Sequence, residues 1–151
     1  MSIFIEGPNG AGKSTLASSL RELKNMNIVH SSKPYSMLEA HAHSLYQIVR
    51  EDDIIFDRSH AISRLVYQNH TISSFERELL WLHAKQLACN NLLIYCIGNG
   101  ERDINKPYYD KELIKETSNQ KIIRARYEEV MKILPHQTYD FKINKISCLQ
   151  L

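Results

Sequence analysis

The sequence lacks the features that mark several classes of protein. Its 151 residues include three cysteines, an odd number with no closely spaced pair, so neither a disulfide framework nor a zinc motif is indicated. No apolar run approaches the roughly 18 residues that cross a bilayer, and the first residues lack the basic and long apolar regions of a signal peptide. Five glycines and four prolines are too few for a collagen-like chain. We therefore expect a globular, cytoplasmic protein with reduced thiols.

An excess of charge of one sign is also missing. The 19 Lys and Arg residues are nearly balanced by 17 Asp and Glu, which gives a formal charge of +2. This is too small to indicate an extended nucleic-acid track, although a local basic patch is compatible with it. The 43% of hydrophobic residues is typical of a soluble domain. Because no repeat or linker divides the chain, we expect one domain over residues 1–151.

Short apolar runs alternate with stretches of helical periodicity along the chain. Strands are predicted at Ser2–Glu6, Asn27–His30, Asp53–Asp57, Leu92–Ile97 and Phe141–Ile143. Helices are predicted at Lys13–Lys24, Pro34–Arg50, Ile62–Gln68, Phe75–Cys89 and within Leu113–Leu134. Apolar strands that alternate with helices indicate a parallel sheet covered on both faces. The predicted fold is therefore α/β, with about five strands in a helix–sheet–helix arrangement.

The first loop carries the most specific motif. Residues 7–14 fit G-x-x-x-x-G-K-[ST] at every fixed position, between a predicted strand and a predicted helix. Backbone N–H groups of such a loop surround phosphate oxygens, and glycines permit the close approach. Lys13 is expected to reach the β- and γ-phosphates of ATP, and the Ser14 hydroxyl to bind Mg²⁺. The predicted ATP-binding residues are Gly7, Pro8, Asn9, Gly10, Ala11, Gly12, Lys13, Ser14 and Thr15.

A second informative segment begins at Asp57, which ends a predicted buried strand. Ligands of parallel sheets gather at the carboxyl ends of strands, where Asp57 is expected to share the Mg²⁺ of Ser14. Arg58 follows and offers a planar, permanently charged group suited to phosphate. A helix N-cap followed by a solvated arginine is the alternative interpretation of the same two residues. Behind a phosphate-binding loop, the catalytic interpretation is favoured.

The segment Glu6–Thr15, the pair Asp57-Arg58 and the cluster Ser63-x-x-x-Tyr67-Gln68 together resemble the thymidylate kinase family of P-loop nucleoside monophosphate kinases. The likeness is greatest to its short viral and phage members. The resemblance implies the P-loop kinase fold and Mg²⁺-dependent transfer from ATP to a nucleoside monophosphate, such as dTMP or a related pyrimidine deoxynucleotide. It also implies a host-cytoplasmic location if the protein is viral, and a homodimer is compatible with it.

The same resemblance implies roles on the acceptor side. Arg58 and Lys33 would bind the acceptor phosphate, Ser63 and Arg64 would line the acceptor pocket, Tyr67 would lie under the sugar, and Gln68 would lie near the base. Arg64 stands where family members often carry a smaller polar residue, so it is expected to pair with a phosphate, a modified base or Glu78. Asn9 replaces an acidic residue that is common in the family.

Residues 98–110 follow the fourth predicted strand, where nucleotide kinases carry a lid. A lid excludes water and can bring a cation to the transferred phosphoryl group. Arg102 is the predicted lid cation, with Lys106 as the second candidate. An ordinary polar loop is the alternative interpretation.

Two rival functions stay open from the sequence. The acceptor could be a hydroxyl group, on a nucleoside, a modified base or a DNA end, and Asp57 or His60 would then act as the base that takes its proton. The chain could instead be a non-catalytic nucleotide-binding module. The acceptor-like and lid-like segments, and the lack of the Asn-Lys-x-Asp motif of GTPases, favour a small-molecule kinase over this module.

Overall fold

The computed structural model describes residues 1–31, 37–68, 71–97 and 120–151. The strands are β1 (Ile3–Glu6), β2 (Asn27–His30), β3 (Ile54–Asp57), β4 (Leu92–Cys96) and β5 (Gln137–Tyr139). The helices in these ranges are α1 (Lys13–Lys24), α2 (Met37–Val49), α3 (His60–Tyr67), α4 (Ser74–Asn90) and α5 (Gln120–Met131), with a 3₁₀ turn at Ile146–Cys148. None of these helices is long and apolar enough to cross a membrane.

The strands form one parallel sheet in the order β2-β3-β1-β4-β5. Alternate residues of β1 pack on opposite faces, as strand geometry requires. Phe4 belongs to a core with α3, α4 and α5, whereas Ile3 and Ile5 belong to a second core with α1. The predicted three-layer α/β arrangement is therefore confirmed, and the carboxyl ends of β1, β2 and β3 lie side by side.

The fifth strand is where the prediction is wrong. It was expected at Phe141–Ile143, but β5 is the polar segment Gln137–Tyr139 at the edge of the sheet, paired with β4 alone. Residues 141–143 form a turn instead, because the Asp140 carbonyl accepts hydrogen bonds from the backbone N–H groups of Ile143 (3.1 Å) and Asn144 (2.7 Å). Such a turn around an aspartate competes with strand pairing.

Serine caps fix where two helices begin. The Ser59 hydroxyl accepts from the Ile62 N–H (3.0 Å), so α3 starts at His60 rather than at Ile62. The Ser73 hydroxyl accepts from the Glu76 N–H (3.1 Å) at the start of α4. Both are the expected N-cap contacts. They satisfy backbone N–H groups in the first turn of each helix and so define where it begins.

Gly7 joins β1 to the phosphate-binding loop at a point where no side chain fits. Its φ is +150°, and a Cβ atom there would lie 2.3 Å from the carbonyl oxygen of Cys96 at the end of β4. We expect Gly7→Ala to lower the free energy of unfolding by roughly 2–4 kcal/mol, since both the backbone angle and the contact become unfavourable. Urea denaturation measures this. Ser18→Ala, on the exposed face of α1, is the control and should stay within about 0.5 kcal/mol of the parent.

Candidate active site

The loop from Gly7 to Ser14 connects β1 to α1 and turns on glycines. Gly10 and Gly12 have φ values of 77° and 83°, which glycine adopts without strain. Gly12 is also the N-cap of α1, so this helix begins without a side-chain cap on its first N–H groups. The ring of Phe141 lies 3.2 Å from the position that a Gly12 Cβ would take. Because no side chain caps them, the first N–H groups of α1 can donate to an anion at this helix N-terminus.

Lys13 is the first residue of α1 and is buried. Its Nζ donates a hydrogen bond to the Pro8 carbonyl across the loop, at 2.8 Å. Burial above all, and then the nearby Arg58 charge, lower the pKa of this amine to about 7. An anion beside Nζ would favour the charged form again. The loop thus holds a cation for which a phosphate is the fitting partner.

Ser14 and Asp57 meet at the carboxyl end of β3. The Ser14 hydroxyl donates to Asp57 Oδ2 at 3.0 Å, and His30 Nδ1 lies 2.9 Å from the same oxygen. The other carboxylate oxygen, Oδ1, is buried and has no hydrogen-bond partner among the described residues. Hydroxyl and carboxylate oxygens are the ligands that Mg²⁺ prefers. The residues present therefore fit the metal that the sequence predicts, and His30, which the sequence analysis did not single out, borders them.

Arg58 has an unusual backbone for a residue with a side chain, with φ at +80°. Its N–H donates to the Ile5 carbonyl (2.9 Å), and its own carbonyl accepts from the Ser31 hydroxyl (2.8 Å) and from Gln47 Nε2 (3.4 Å). Gln47 is buried on α2. Left-handed residues held in this way by their surroundings cluster at functional sites, because the strained backbone sets the direction of the side chain.

The Arg58 guanidinium points towards the phosphate-binding loop and α3. Nη2 donates to Asn9 Oδ1 at 2.6 Å, and Nη1 donates to the Tyr67 hydroxyl at 3.3 Å. The same group lies 5.3 Å from the centre of the Tyr67 ring. Arg58 and Tyr67, both predicted on the acceptor side, are thus next to each other and next to the loop residue Asn9.

Glu6 is a second residue to which the sequence analysis assigned no role in the site. It ends β1 fully buried, and its carboxylate accepts from the Ser59 N–H (2.6 Å), the Tyr127 hydroxyl (2.9 Å) and the Ser63 hydroxyl (3.2 Å). Burial raises the pKa of this carboxyl, while Arg58 and the hydrogen bonds oppose the shift. The available signal was an acidic residue at the end of an otherwise apolar strand.

Arg64 and Gln68 bond to each other. Arg64 Nη1 donates to Gln68 Oε1, and Nε donates to Glu76 Oε1 at 2.6 Å. The carboxylate partner of Arg64 is therefore Glu76 and not Glu78. Both members of the pair are largely buried, so this part of α3 is tied to α4.

His60, one of the two bases considered for a hydroxyl acceptor, contacts α2 instead. Its Nε2 lies 3.0 Å from His43 Nδ1. Burial first, and then His43, lower its pKa to about 4. The other candidate, Asp57, is already bonded to Ser14 and His30. Glu6 is a further carboxylate at this edge of the sheet, and burial raises its pKa.

Three predicted residues, Lys33, Arg102 and Lys106, and the predicted lid at 98–110 lie outside the described residues. Their roles stay predictions. Of the predicted site residues that the structure describes, the residues of the loop, Asp57, Arg58 and Tyr67 come together at the carboxyl ends of β1 and β3.

Neither protein-family models nor curated protein sequences match this chain. Solved structures do. YorR from Bacillus subtilis, in complex with phosphorylated GDP, has a TM-score of 0.67 at 22% identity, over 92% of this chain and 84% of its own. The chain has the P-loop kinase fold. Deoxyadenosine kinase from M. mycoides with dATP has a TM-score of 0.62 at 19% identity, over 97% of this chain and 94% of its own. Shikimate kinase from Acinetobacter baumannii with shikimate has a TM-score of 0.51 at 19% identity, over 95% and 84%.

Proposed function

We propose that the chain is an ATP- and Mg²⁺-dependent kinase that transfers a phosphoryl group to a nucleoside or nucleotide. The observation that carries this proposal is the contact between Ser14 and Asp57 beside the phosphate-binding loop and Lys13. The second oxygen of Asp57 is buried and has no hydrogen-bond partner in the part of the chain that the structure describes. We place the activity in the cytoplasm, where its nucleotide substrates are found.

The proposed mechanism depends on positioning and charge, since phosphoryl transfer needs little covalent help from a protein. The loop N–H groups and Lys13 bind the phosphates of ATP. Ser14 and Asp57 would hold Mg²⁺, which neutralises charge on the transferred group when bound. Arg58 reaches from the loop to Tyr67 and orients the acceptor's reacting end. A lid arginine at position 102 belongs to the same proposal.

A nucleoside monophosphate is the first candidate acceptor, with dTMP or a related pyrimidine deoxynucleotide as the substrate. It is supported by Arg58, a half-buried planar cation whose Nη2 lies 2.6 Å from Oδ1 of the loop residue Asn9. Lys33 would be the second cation for its phosphate. Tyr67 and Gln68 would contact the sugar and the base.

A hydroxyl acceptor such as a nucleoside is the second candidate, and Glu6 favours it. A hydroxyl loses a proton on phosphorylation, and an efficient base has a pKa near the working pH. Glu6 is a buried carboxylate whose pKa is raised, and it shares the Tyr127 hydroxyl with Arg58. Two of the similar structures are named as kinases of deoxyadenosine and of shikimate.

An acceptor panel tests the proposal. ADP release from ATP and Mg²⁺ would be measured with deoxynucleoside monophosphates, ribonucleoside monophosphates, nucleosides and hydroxymethylated DNA. We expect stimulation by one small-molecule class, and product analysis would identify which. Absence of stimulation by every acceptor, from protein that binds ATP, would contradict the kinase and favour a non-catalytic module.

The metal site gives a separate prediction. We expect Asp57→Asn to raise the Mg²⁺ concentration for half-maximal activity by about 10–100-fold, since an amide is a weaker ligand than a carboxylate. A Mg²⁺ titration of the rate measures this. Asp53→Asn, at the exposed residue just before the same strand, is the control and should titrate like the parent. An unchanged requirement in Asp57→Asn would remove Asp57 from the metal site.

A further inference from the structure

Tyr127 lies on α5 and is fully buried. Its hydroxyl donates to Glu6 Oε2 at 2.9 Å and accepts from Arg58 Nη1 at 3.5 Å. No direct ion pair joins Glu6 to Arg58 in the described part of the chain, and this single hydroxyl is bonded to both. The residue therefore connects the end of β1 with the turn between β3 and α3.

Neighbouring rings fix the position of that hydroxyl. The Tyr127 ring stacks on Tyr95 of β4, with centres 5.7 Å apart and planes at 22°. It meets the Tyr67 ring edge-on, at 6.0 Å and 83°. One residue earlier, Arg126 Nη1 donates to the Val66 carbonyl of α3 at 3.1 Å. Helix α5 is thus attached to α3 beside the acceptor side of the site.

The hydroxyl proton of Tyr127 has a defined direction. Burial, and then the neighbouring Glu6 charge, raise the pKa of this phenol well above its usual value, so the group stays neutral and donates. A buried tyrosine hydroxyl needs a partner. Any buried polar group, including one away from the site, could supply that hydrogen bond. Here the partners are instead Arg58, which the proposed mechanism places on the acceptor side, and Glu6, the proposed base for a hydroxyl acceptor.

We propose that Tyr127 is a positioning residue that holds the Glu6 carboxylate and the Arg58 guanidinium in their working directions without itself touching the acceptor. The proposal rests on the proposed function, because it concerns the same site. Removing only the hydroxyl, as in Tyr127→Phe, leaves the ring packing in place and takes one donor from Glu6 and one acceptor from Arg58.

A titration of Glu6 tests the proposal without any need for activity. Protein carrying ¹³C-carboxyl glutamate would be titrated by NMR, with the Glu6 signal assigned by its loss in Glu6→Gln. We expect Tyr127→Phe to raise the titration midpoint of Glu6 by about one pH unit, because a buried carboxylate loses a donor. Tyr95→Phe, whose ring stacks on Tyr127, is the matched control and should leave the midpoint unchanged. A midpoint in Tyr127→Phe that stays or falls would overturn the proposal.

The kinetic readout separates positioning from mere support of the fold. With the acceptor that the panel identifies, we expect kcat/KM for that acceptor to fall by about tenfold in Tyr127→Phe, with KM for ATP within about twofold of the parent. If the KM for ATP rose by the same factor by which kcat/KM for the acceptor fell, the role would be structural and the proposal would be overturned. If the parent protein were inactive with every acceptor, the proposed function would be contradicted. The Glu6 titration would still show whether the Tyr127 hydroxyl stabilises the Glu6 carboxylate.

Discussion

Lys13→Ala is expected to lower kcat by about a thousandfold or more. Lys13 is buried inside the loop, where its Nζ donates to the Pro8 carbonyl, so the substitution removes the amine from the phosphate site itself. Stabilisation of developing charge by a fixed donor is typically the largest contribution to such a reaction, and one donor is worth about 10²–10³ in rate. The positive charge that a bound phosphate favours on this amine adds to that. Single-turnover transfer from ATP to the identified acceptor measures the effect.

The control for this variant lies on the same helix. Lys24→Ala removes an exposed lysine in the last turn of α1 and should leave kcat within about twofold of the parent. If Lys13→Ala kept more than about a tenth of the parent rate, the loop would bind phosphate without the role proposed for Lys13.

The same substitution changes how stability depends on pH. The pKa of Lys13 is about 7 in the fold, below its usual value of about 10.4 in an unfolded chain. Between these values the unfolded chain binds more protons, so this group makes the parent more stable as the pH rises through that window. Lys13→Ala should therefore lack this rise in the free energy of unfolding. Relative to the parent, the variant should be more stable near pH 7 than near pH 10.

Local patterns were sufficient to predict most of the fold. The bounds of α1 and β2 agree with the prediction because periodicity and apolar runs define them within a dozen residues. The fifth strand could not be found in this way. Gln137–Tyr139 has no apolar run by which it could be recognised, and it pairs on one side only, as an edge strand. The more apolar Phe141–Ile143 forms a turn instead, because the Asp140 carbonyl accepts hydrogen bonds from the backbone that follows it.

The site residues also fall into those that a local motif predicts and those that only the tertiary structure brings together. The phosphate-binding loop and Asp57 carry their own sequence patterns. The bond from Tyr127 to Glu6 spans 121 residues, and nothing local to either residue indicates the other. Glu76 and Glu78 are two residues apart and therefore point to different sides of α4. Only the packing of α4 against α3 shows which of the two reaches Arg64. With Ser73 as the cap, Glu76 turns inwards to Arg64 while Glu78 is exposed.

Glu6→Gln is expected to distinguish the two acceptor classes. With a hydroxyl acceptor, transfer should fall by at least about a hundredfold, because a general base contributes about 10²–10⁴ and glutamine cannot take a proton. With a nucleoside monophosphate the loss should stay below about tenfold, because the attacking phosphate oxygen is already ionised near neutral pH. Both rates would be measured at saturating ATP, on the acceptors that stimulate the parent.

Glutamine has the shape of glutamate, but its amide nitrogen replaces one accepting oxygen. Either the bonds from Ser59 and Ser63 to Oε1 or the bond from Tyr127 to Oε2 would therefore be lost. ATP affinity and the unfolding midpoint would therefore be measured beside the rate. The exposed Glu78 gives the control, Glu78→Gln, which should match the parent in all three. A hydroxyl acceptor that is phosphorylated at the parent rate by folded, ATP-binding Glu6→Gln would show that Glu6 is not the base. The raised pKa of this carboxyl would then be only a consequence of its burial at the end of β1.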